Sequence, residues 1–178
     1  MSVRQSLLAI LDQGPCYGYQ LRTEFDRRTG SVWPLNVGQI YNTLERLERD
    51  GLVARGEPDE QGHVYWRITH DGSAAVAAWL VEPVSRSQAP RDELAIKISL
   101  AATLPGADAA EVIRMQRAAS LERLHELERV QEDSGDEGTE GLARSLVLDS
   151  LIVAVEAELR WLDRAADRLT ERAAHSPA

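Results

Sequence analysis

The segment from Asn36 to Gly51 constrains this 178-residue chain more tightly than any other. Asn36 is placed to cap a helix, and Gln39 follows three residues later, a capping box with an amide in both roles. Ile40, Leu44 and Leu47 recur at steps of four and three, which gathers them on one face. Gly51 ends the run directly before Leu52 and Val53. The other face carries Gln39, Asn42, Thr43, Arg46 and Arg49, all able to hydrogen-bond outward. A helix divided this way needs a small apolar core behind it and leaves a polar face for something else.

The flanking segments supply that core. Val3, Leu7, Ile10 and Leu11 have helical spacing after Ser2, and Gln13-Gly14-Pro15 stops that helix. A second helix is expected from about Gly18 to Thr29, with Tyr19, Leu21 or the stem of Arg22, and Phe25 as its buried side. After Gly51, Leu52 to Arg55 and His63 to Ile68 read as two strands, and Gly56 to Gly62 is turn chemistry. Thr69 caps a short helix ending near Val81, and Pro83 closes a domain spanning 1–83. The predicted fold is mostly α: three helices and a two-stranded β-hairpin, a winged helix-turn-helix, followed by a helical domain over 84–178.

In that second domain, Glu82 to Arg91 reads as a connector and Pro90 as the opening of a helix to about Thr103. Asp108 with Glu111 starts another helix, bearing Leu121, Leu124, Leu127 and Val130. Asp133 to Gly141, acidic and glycine-rich, is expected to be a mobile loop. From about Leu142 to Ala174 the series Leu148, Ile152, Val155, Leu159, Leu162, Ala166, Leu169 alternates steps of four and three. That is a coiled-coil-type seam on a helix roughly 45 Å long. Burying it calls for the preceding helix and a second copy of the chain, so Leu148, Ile152, Val155, Leu159 and Leu162 are the expected dimerisation residues.

Several functional classes drop out on composition. The longest mostly apolar stretch, Ala74 to Val81, is too short to cross a bilayer, and the start lacks a signal-peptide pattern, so a cytoplasmic protein is expected. Cys16 is the only cysteine, which rules out an internal disulfide and a multi-thiolate metal site. His63, His70, His125 and His175 lack zinc-ligand spacing, and no metal or other cofactor is expected. No glycine-rich phosphate loop follows a strand, and no serine or cysteine stands in a recognisable catalytic motif. An enzyme is not expected. The net charge of −9 needs an answer for any polyanion-binding reading. Residues 1–80 hold 8 Lys and Arg against 10 Asp and Glu, and the rest hold 12 against 19, so most of the acid lies outside the first domain. Phosphate binding depends on the docking face, not on that sum.

Three helices and a hairpin, with a polar outer face on the third helix, is an arrangement the DNA major groove can admit. Three stretches carry a more specific resemblance. YGYQL (Tyr17 to Leu21), GQIYNTLERLERDGLV (Gly38 to Val53) and YWRIT-x-x-G (Tyr65 to Gly72) occur in linked order and resemble the PadR family, the phenolic-acid-responsive regulators. Residues 84–178 are similar to the long, virulence-activator-type helical domain of one PadR subgroup. The resemblance implies a homodimeric transcription regulator, most often a repressor, bound to double-stranded DNA at an inverted repeat and released by a small-molecule effector, aromatic or phenolic. On the matching motifs it implies DNA contacts from Tyr19, from Asn36, Val37, Gly38, Gln39, Tyr41, Asn42 and Arg46, and from His63 and Arg67 in the wing.

Bland alternatives stand beside these assignments. Tyr41 can be a packing residue, Arg46 and Arg49 can pair with neighbouring acids, and Gln39 can act only as a cap. Trp33, Trp66, Trp79 and Trp161 can all serve packing; Trp79 and Trp161, with Arg164 or Arg160 for a carboxylate, form the candidate effector site. One departure from the family is the wing tip, where Glu57, Asp59 and Glu60 put acids in place of expected bases. A winged helix that docks another protein and no longer binds DNA is the competing function.

Overall fold

The computed structural model describes residues 2–84, 92–133 and 138–175. It divides into two compact units, Met1–Val84 with Glu137–Arg144, and Ser85–Asp136 with Ser145–Ala178.

In the first unit the order is α1 (Ser2–Leu11), β1 (Cys16–Tyr17), α2 (Gly18–Arg28), α3 (Val37–Arg49), β2 (Val53–Pro58), β3 (Val64–Ile68) and α4 (His70–Val81). The caps read from sequence hold. Asn36 and Gln39 form the reciprocal box at α3, and the Thr69 side chain accepts from Gly72 N–H at α4. Leu7, Leu8, Leu11, Leu21, Ile40, Leu44 and Leu47 are fully buried in one cluster with Phe25, Val53, Trp66 and Val76. Each such side chain contributes roughly 1.5–3 kcal/mol of burial. The spacing of Ile40, Leu44 and Leu47 therefore fixes which face of α3 points inward, and so which points out.

Two expectations change here. The sheet has three strands, ordered β1-β3-β2, because Cys16 and Tyr17 pair antiparallel with Trp66 and Tyr65. Tyr19, expected inside with Leu21 and Phe25, is instead 60% exposed.

The second unit contains α5 (Glu93–Ala101), α6 (Ala109–Glu132) and α7 (Gly138–His175) from Ser145 onward. Asp92 and Asp108 cap α5 and α6 through Ala95 N–H and Glu111 N–H. The expected helix opening at Pro90 lies outside the described residues, and the helix begins at Glu93. The glycine-rich stretch is also shorter than expected. Residues 134–137 lie outside the described residues, while Gly138 to Gly141 already belong to α7.

Cross-links run Ser120 to Glu158 (2.6 Å), Arg117 to Asp163 (2.8 Å) and Gln131 to Asp149 (2.6 Å). Partners descend on α7 as they ascend on α6, so the two helices are antiparallel. Ile98, Ile113 and Leu162 form the buried centre, with Trp161 and Leu169 packed on it. The seam read as intersubunit therefore acts within the chain first. Leu148 and Leu162 are fully buried in the single chain, while Ile152, Val155 and Leu159 are half-buried. Leu146 and Val153 are the exposed apolar residues of α7 in this unit, at 61% and 57%.

Candidate nucleic-acid interface

The outward face of α3 is fixed at both ends. At its start Gln39 N–H donates to Asn36 Oδ1 (2.7 Å), and Asn36 N–H donates to Gln39 Oε1 (3.2 Å). At its end the wing is stitched to the helix terminus. Thr69 N–H donates to the Leu52 carbonyl (3.0 Å), and the Thr69 hydroxyl donates to the Gly51 carbonyl (2.8 Å). Gly72 then packs so closely that a Cβ there would lie 2.2 Å from Leu52 O. The T-x-x-G pattern thus holds the strand exit against the end of α3.

A further close approach explains the YGY pattern. A Cβ on Gly18 would sit 2.7 Å from the Tyr41 ring. Tyr41 lies across the start of α2 and stays 41% exposed. Tyr17, on the other side of Gly18, stacks on His63 of the wing with ring centroids 4.5 Å apart and is met edge-on by Tyr65. Together these rings tie α2, α3 and β3 into one surface. Tyr17, Tyr41, Glu45, Arg55, His63 and Trp66 line the hollow between α3 and the wing.

The acidic wing tip has a local explanation in part. The Asp59 carboxylate accepts from Gln61 N–H (2.9 Å) and His63 N–H (2.8 Å), and its other oxygen lies 3.3 Å from His63 Nδ1. These bonds, the His63 backbone first, hold the Asp59 carboxyl below the usual carboxylate range. Asp59 builds the turn. Glu57 and Glu60 remain as exposed acids.

Charge pairing separates the faces of the first unit. Arg4 pairs with Asp50, Arg22 with Asp26, Arg27 with Glu24 and Glu140, and Arg28 with Glu24. Arg46 and Arg49 on α3 and Arg67 on β3 are exposed and have no carboxylate partner among the described residues. Arg55 on β2 lies over the Trp66 ring, 5.9 Å from its centroid, a cation–π contact that leaves its charge uncompensated. The exposed unpaired guanidiniums therefore belong to α3 and the wing, where an anion can meet them, while Arg144, also unpaired among the described residues, is half-buried against Gly30.

Of the residues singled out from sequence, Tyr19, Asn36, Val37, Gly38, Gln39, Tyr41, Asn42, Arg46 and Arg67 are exposed, and His63 is half-buried. Sequence reading passed over Tyr17 and Arg55. The aromatic pattern around Gly18 was the available signal for Tyr17; nothing in sequence distinguishes Arg55 from any other strand arginine, because only its pairing sets it apart. Trp79 is half-buried on α4, Trp161 is packed in the second unit's core, and Arg164 is exposed. Burial, with Glu24 adding, pushes the Cys16 thiol up, which makes it a poor nucleophile. Among the described residues no cluster of His, Cys, Asp and Glu could hold a metal ion, and no helix is long and apolar enough to cross a membrane.

Comparison with known proteins agrees with this geometry. The model of the transcriptional regulator PadR-like family matches residues 7–78, and that of the virulence activator alpha C-terminal region matches residues 90–170. A probable transcriptional regulator of Mycobacterium tuberculosis is 29% identical, covering 97% of this chain and all of that protein. PadR of Bacillus subtilis, a negative transcriptional regulator, is 21% identical over 71% of each chain. Its structure with operator DNA superposes with a TM-score of 0.68 at 18% identity, covering 95% of this chain and 99% of that one. Its complex with p-coumaric acid gives 0.69 at 20% identity, covering 96% and 99%. The Vibrio cholerae virulence activator AphA gives 0.69 at 19% identity, also covering 96% and 99%. With both models matched in order, the chain carries a PadR-like transcriptional-regulator domain at residues 7–78 followed by a virulence-activator-type C-terminal region at residues 90–170.

Proposed function

We propose that this regulator represses transcription by binding an inverted-repeat operator as a homodimer, with α3 of each copy in a major groove and the wing along the adjacent backbone. The observation that carries this reading is the distribution of charge partners. In the first unit Arg4, Arg22, Arg27 and Arg28 of α1 and α2 sit on carboxylates, while Arg46, Arg49, Arg55 and Arg67 have none among the described residues. Arg144, half-buried against Gly30, is also without one. In a chain of net charge −9 these four guanidiniums are held by no salt bridge among the described residues and can turn to phosphate, although Glu45, Glu48, Glu57 and Glu60 on the same helix and wing are exposed and unpaired there as well. Repression is supported by the naming of the Bacillus subtilis relative as a negative regulator. Dimerisation is supported by Leu146 and Val153, which one chain leaves uncovered one heptad apart on α7.

A small aromatic carboxylate acts as the effector in this reading, as p-coumaric acid is bound by the same Bacillus subtilis protein. It can shift the DNA equilibrium only by binding one arrangement of the dimer better than another. Trp161 and Arg164 of the second unit are its candidate contacts, and tryptophan fluorescence is the readout.

A gel shift of the full chain on the DNA upstream of its own gene tests the central claim. Log affinity should fall linearly with log salt, with a slope of about −0.9 per phosphate neutralised. Replacing Arg46 and Arg67 together by Ala should lower affinity by about a hundredfold or more and flatten that slope, with the chain still folded and dimeric. Unchanged affinity would remove both residues from the interface. No binding at any salt would favour a protein-docking role, for which Glu57 and Glu60 at the wing tip are the available features.

A further inference from the structure

The polar face of α3 is not chemically uniform, and its hydrogen bonds distinguish a side chain with donor and acceptor both free from those with one of the two already occupied. A carboxamide carries an acceptor oxygen and a donor NH2 on opposite sides of one plane. At the start of α3 both partners of the cap are backbone N–H groups, from Gln39 to Asn36 and from Asn36 to Gln39. Only the side-chain oxygens can accept from them, so the orientation of both amides is dictated by chemistry. Asn36 and Gln39 therefore turn their oxygens toward the backbone and leave NH2 donors outward. Those donors suit a phosphate oxygen. They cannot accept from the amino group of adenine or cytosine. On the next turn the Thr43 hydroxyl donates to the Gln39 carbonyl at 2.7 Å, so its proton is occupied as well.

Asn42 differs from all three. It is exposed, and its carboxamide has no hydrogen-bond partner among the described residues, so donor and acceptor are both available. Arg46, one turn further on the same face, is likewise exposed and without a carboxylate partner among them. Glu45 lies to the other side, lining the hollow toward the wing.

We infer that Asn42 selects adenine and Arg46 selects guanine in the half-site, while Asn36 and Gln39 bind backbone phosphate without reading sequence. The assignment rests on the DNA-binding reading above. In the major groove adenine presents its N6 amino donor beside the N7 acceptor, which an unoccupied carboxamide matches with two hydrogen bonds. Guanine presents O6 and N7, which match a guanidinium. Four residues along a helix advance about 6 Å, close to two base-pair steps of about 3.4 Å. The two selected bases should therefore lie about two positions apart.

The test is selection from a randomised duplex library by the full-length chain, in its wild-type, Asn42→Ala, Asn42→Asp and Gln39→Glu forms. Glutamate at residue 39 keeps the oxygen that caps Asn36 N–H, so α3 retains its start while the outward donors are lost. Circular dichroism confirms that each variant is folded.

The wild type should enrich a motif with adenine and guanine about two positions apart. Asn42→Ala should lose preference at the adenine position by about ten- to a hundredfold and keep the guanine. Asn42→Asp, which can only accept, should move that position toward cytosine, whose N4 amino group donates. Gln39→Glu should weaken all sequences alike and reduce the salt slope. If both Asn42 variants bind more weakly but choose the same base at every position, the assignment is wrong although the protein reads DNA. A change of base choice in Gln39→Glu would overturn it equally. A wild-type chain that enriches no motif overturns the DNA-binding reading itself, a result separable from the other two.

Discussion

In the first unit thirteen buried apolar side chains, from its helices, its sheet and Leu35 before α3, meet in one cluster, with Leu7, Leu8, Leu21, Ile40, Leu44 and Leu47 wholly inaccessible. In the second, Ile98, Ile113 and Leu162 form the buried cluster, with Ala109, Leu127 and Leu148 buried outside it, while Ile96, Leu100, Met115, Leu146 and Val153 all lie open. Arginines show the reverse pattern. On α6 and α7, Arg114, Arg117, Arg123 and Arg160 are held by Glu111, Asp163, Glu126 and Glu156, whereas the arginines of α3 and the wing go unpaired. The first unit buries the larger cluster and leaves the arginines of α3 and the wing without carboxylates. The second pairs most of its α6 arginines, though not Arg129, and buries the smaller cluster beneath open apolar side chains. Each deficit indicates the chemistry of its missing partner, polyanionic for the first and apolar for the second.

The comparison is open to attack at the core of the first unit, where the largest effect is expected. Gly72→Val drives a side chain into the Leu52 backbone, which cannot step aside as a flexible side chain could. About 3 kcal/mol of stability should be lost. Hydrogen exchange should speed up in β2 and β3 and stay unchanged in α6. Faster exchange in both units would show that they do not unfold independently.

A smaller effect sharpens the reading of the second unit. Replacing Leu146 and Val153 together by Glu changes only exposed positions, so helix content should hold. In the homodimer reading the dissociation constant should rise by about a hundredfold, measured by sedimentation. Leu162→Ala is the contrast, because it opens a cavity inside one chain. It should cost about 2–5 kcal/mol of folding stability. Dimer strength unaffected by the double substitution would place the contact between copies on another face.

How far the sequence announces each part follows from how local its causes are. The bounds of α3 are legible because cap, apolar spacing and stop all lie within sixteen residues of one another. The strand at Cys16 and Tyr17 is not, since its cause is a ladder to residues nearly fifty positions away. Tyr19 misleads because an aromatic at helical spacing reads as core, while its exposure depends on how α2 packs. Gly138 to Gly141 read as loop by composition, yet they are helical. Glu140 there reaches Arg27, and Arg144 packs against Gly30, contacts that no local window contains. For the candidate site, the residue types on α3 were readable, but which arginines are paired and which amides are occupied were not. Those facts decide the chemistry.

The smallest expected effect concerns the wing tip, where an acid of the first unit builds a backbone turn, as the arginine-paired acids of α6 and α7 do not. The Asp59 carboxyl is depressed chiefly by the N–H of His63, then by that of Gln61 and by the His63 ring. For a depressed acid the stabilisation is complete above the unfolded value of about 3.9 and is lost as pH falls through the lower folded value. The turn should therefore be unchanged from pH 8 down to about 4 and loosen only below. The amide resonances of Gln61 and His63 report this directly by NMR, with an inflection below about 3.9 that Asp59→Asn abolishes. The same substitution should weaken DNA binding only modestly, since it loosens the His63 side of the wing and leaves Arg67 in its strand. An inflection at or above the ordinary value would mean that Asp59 is solvated, as Glu57 and Glu60 are. The wing tip would then carry three acids against DNA, and the contrast between the units would weaken at the place where it matters most for binding.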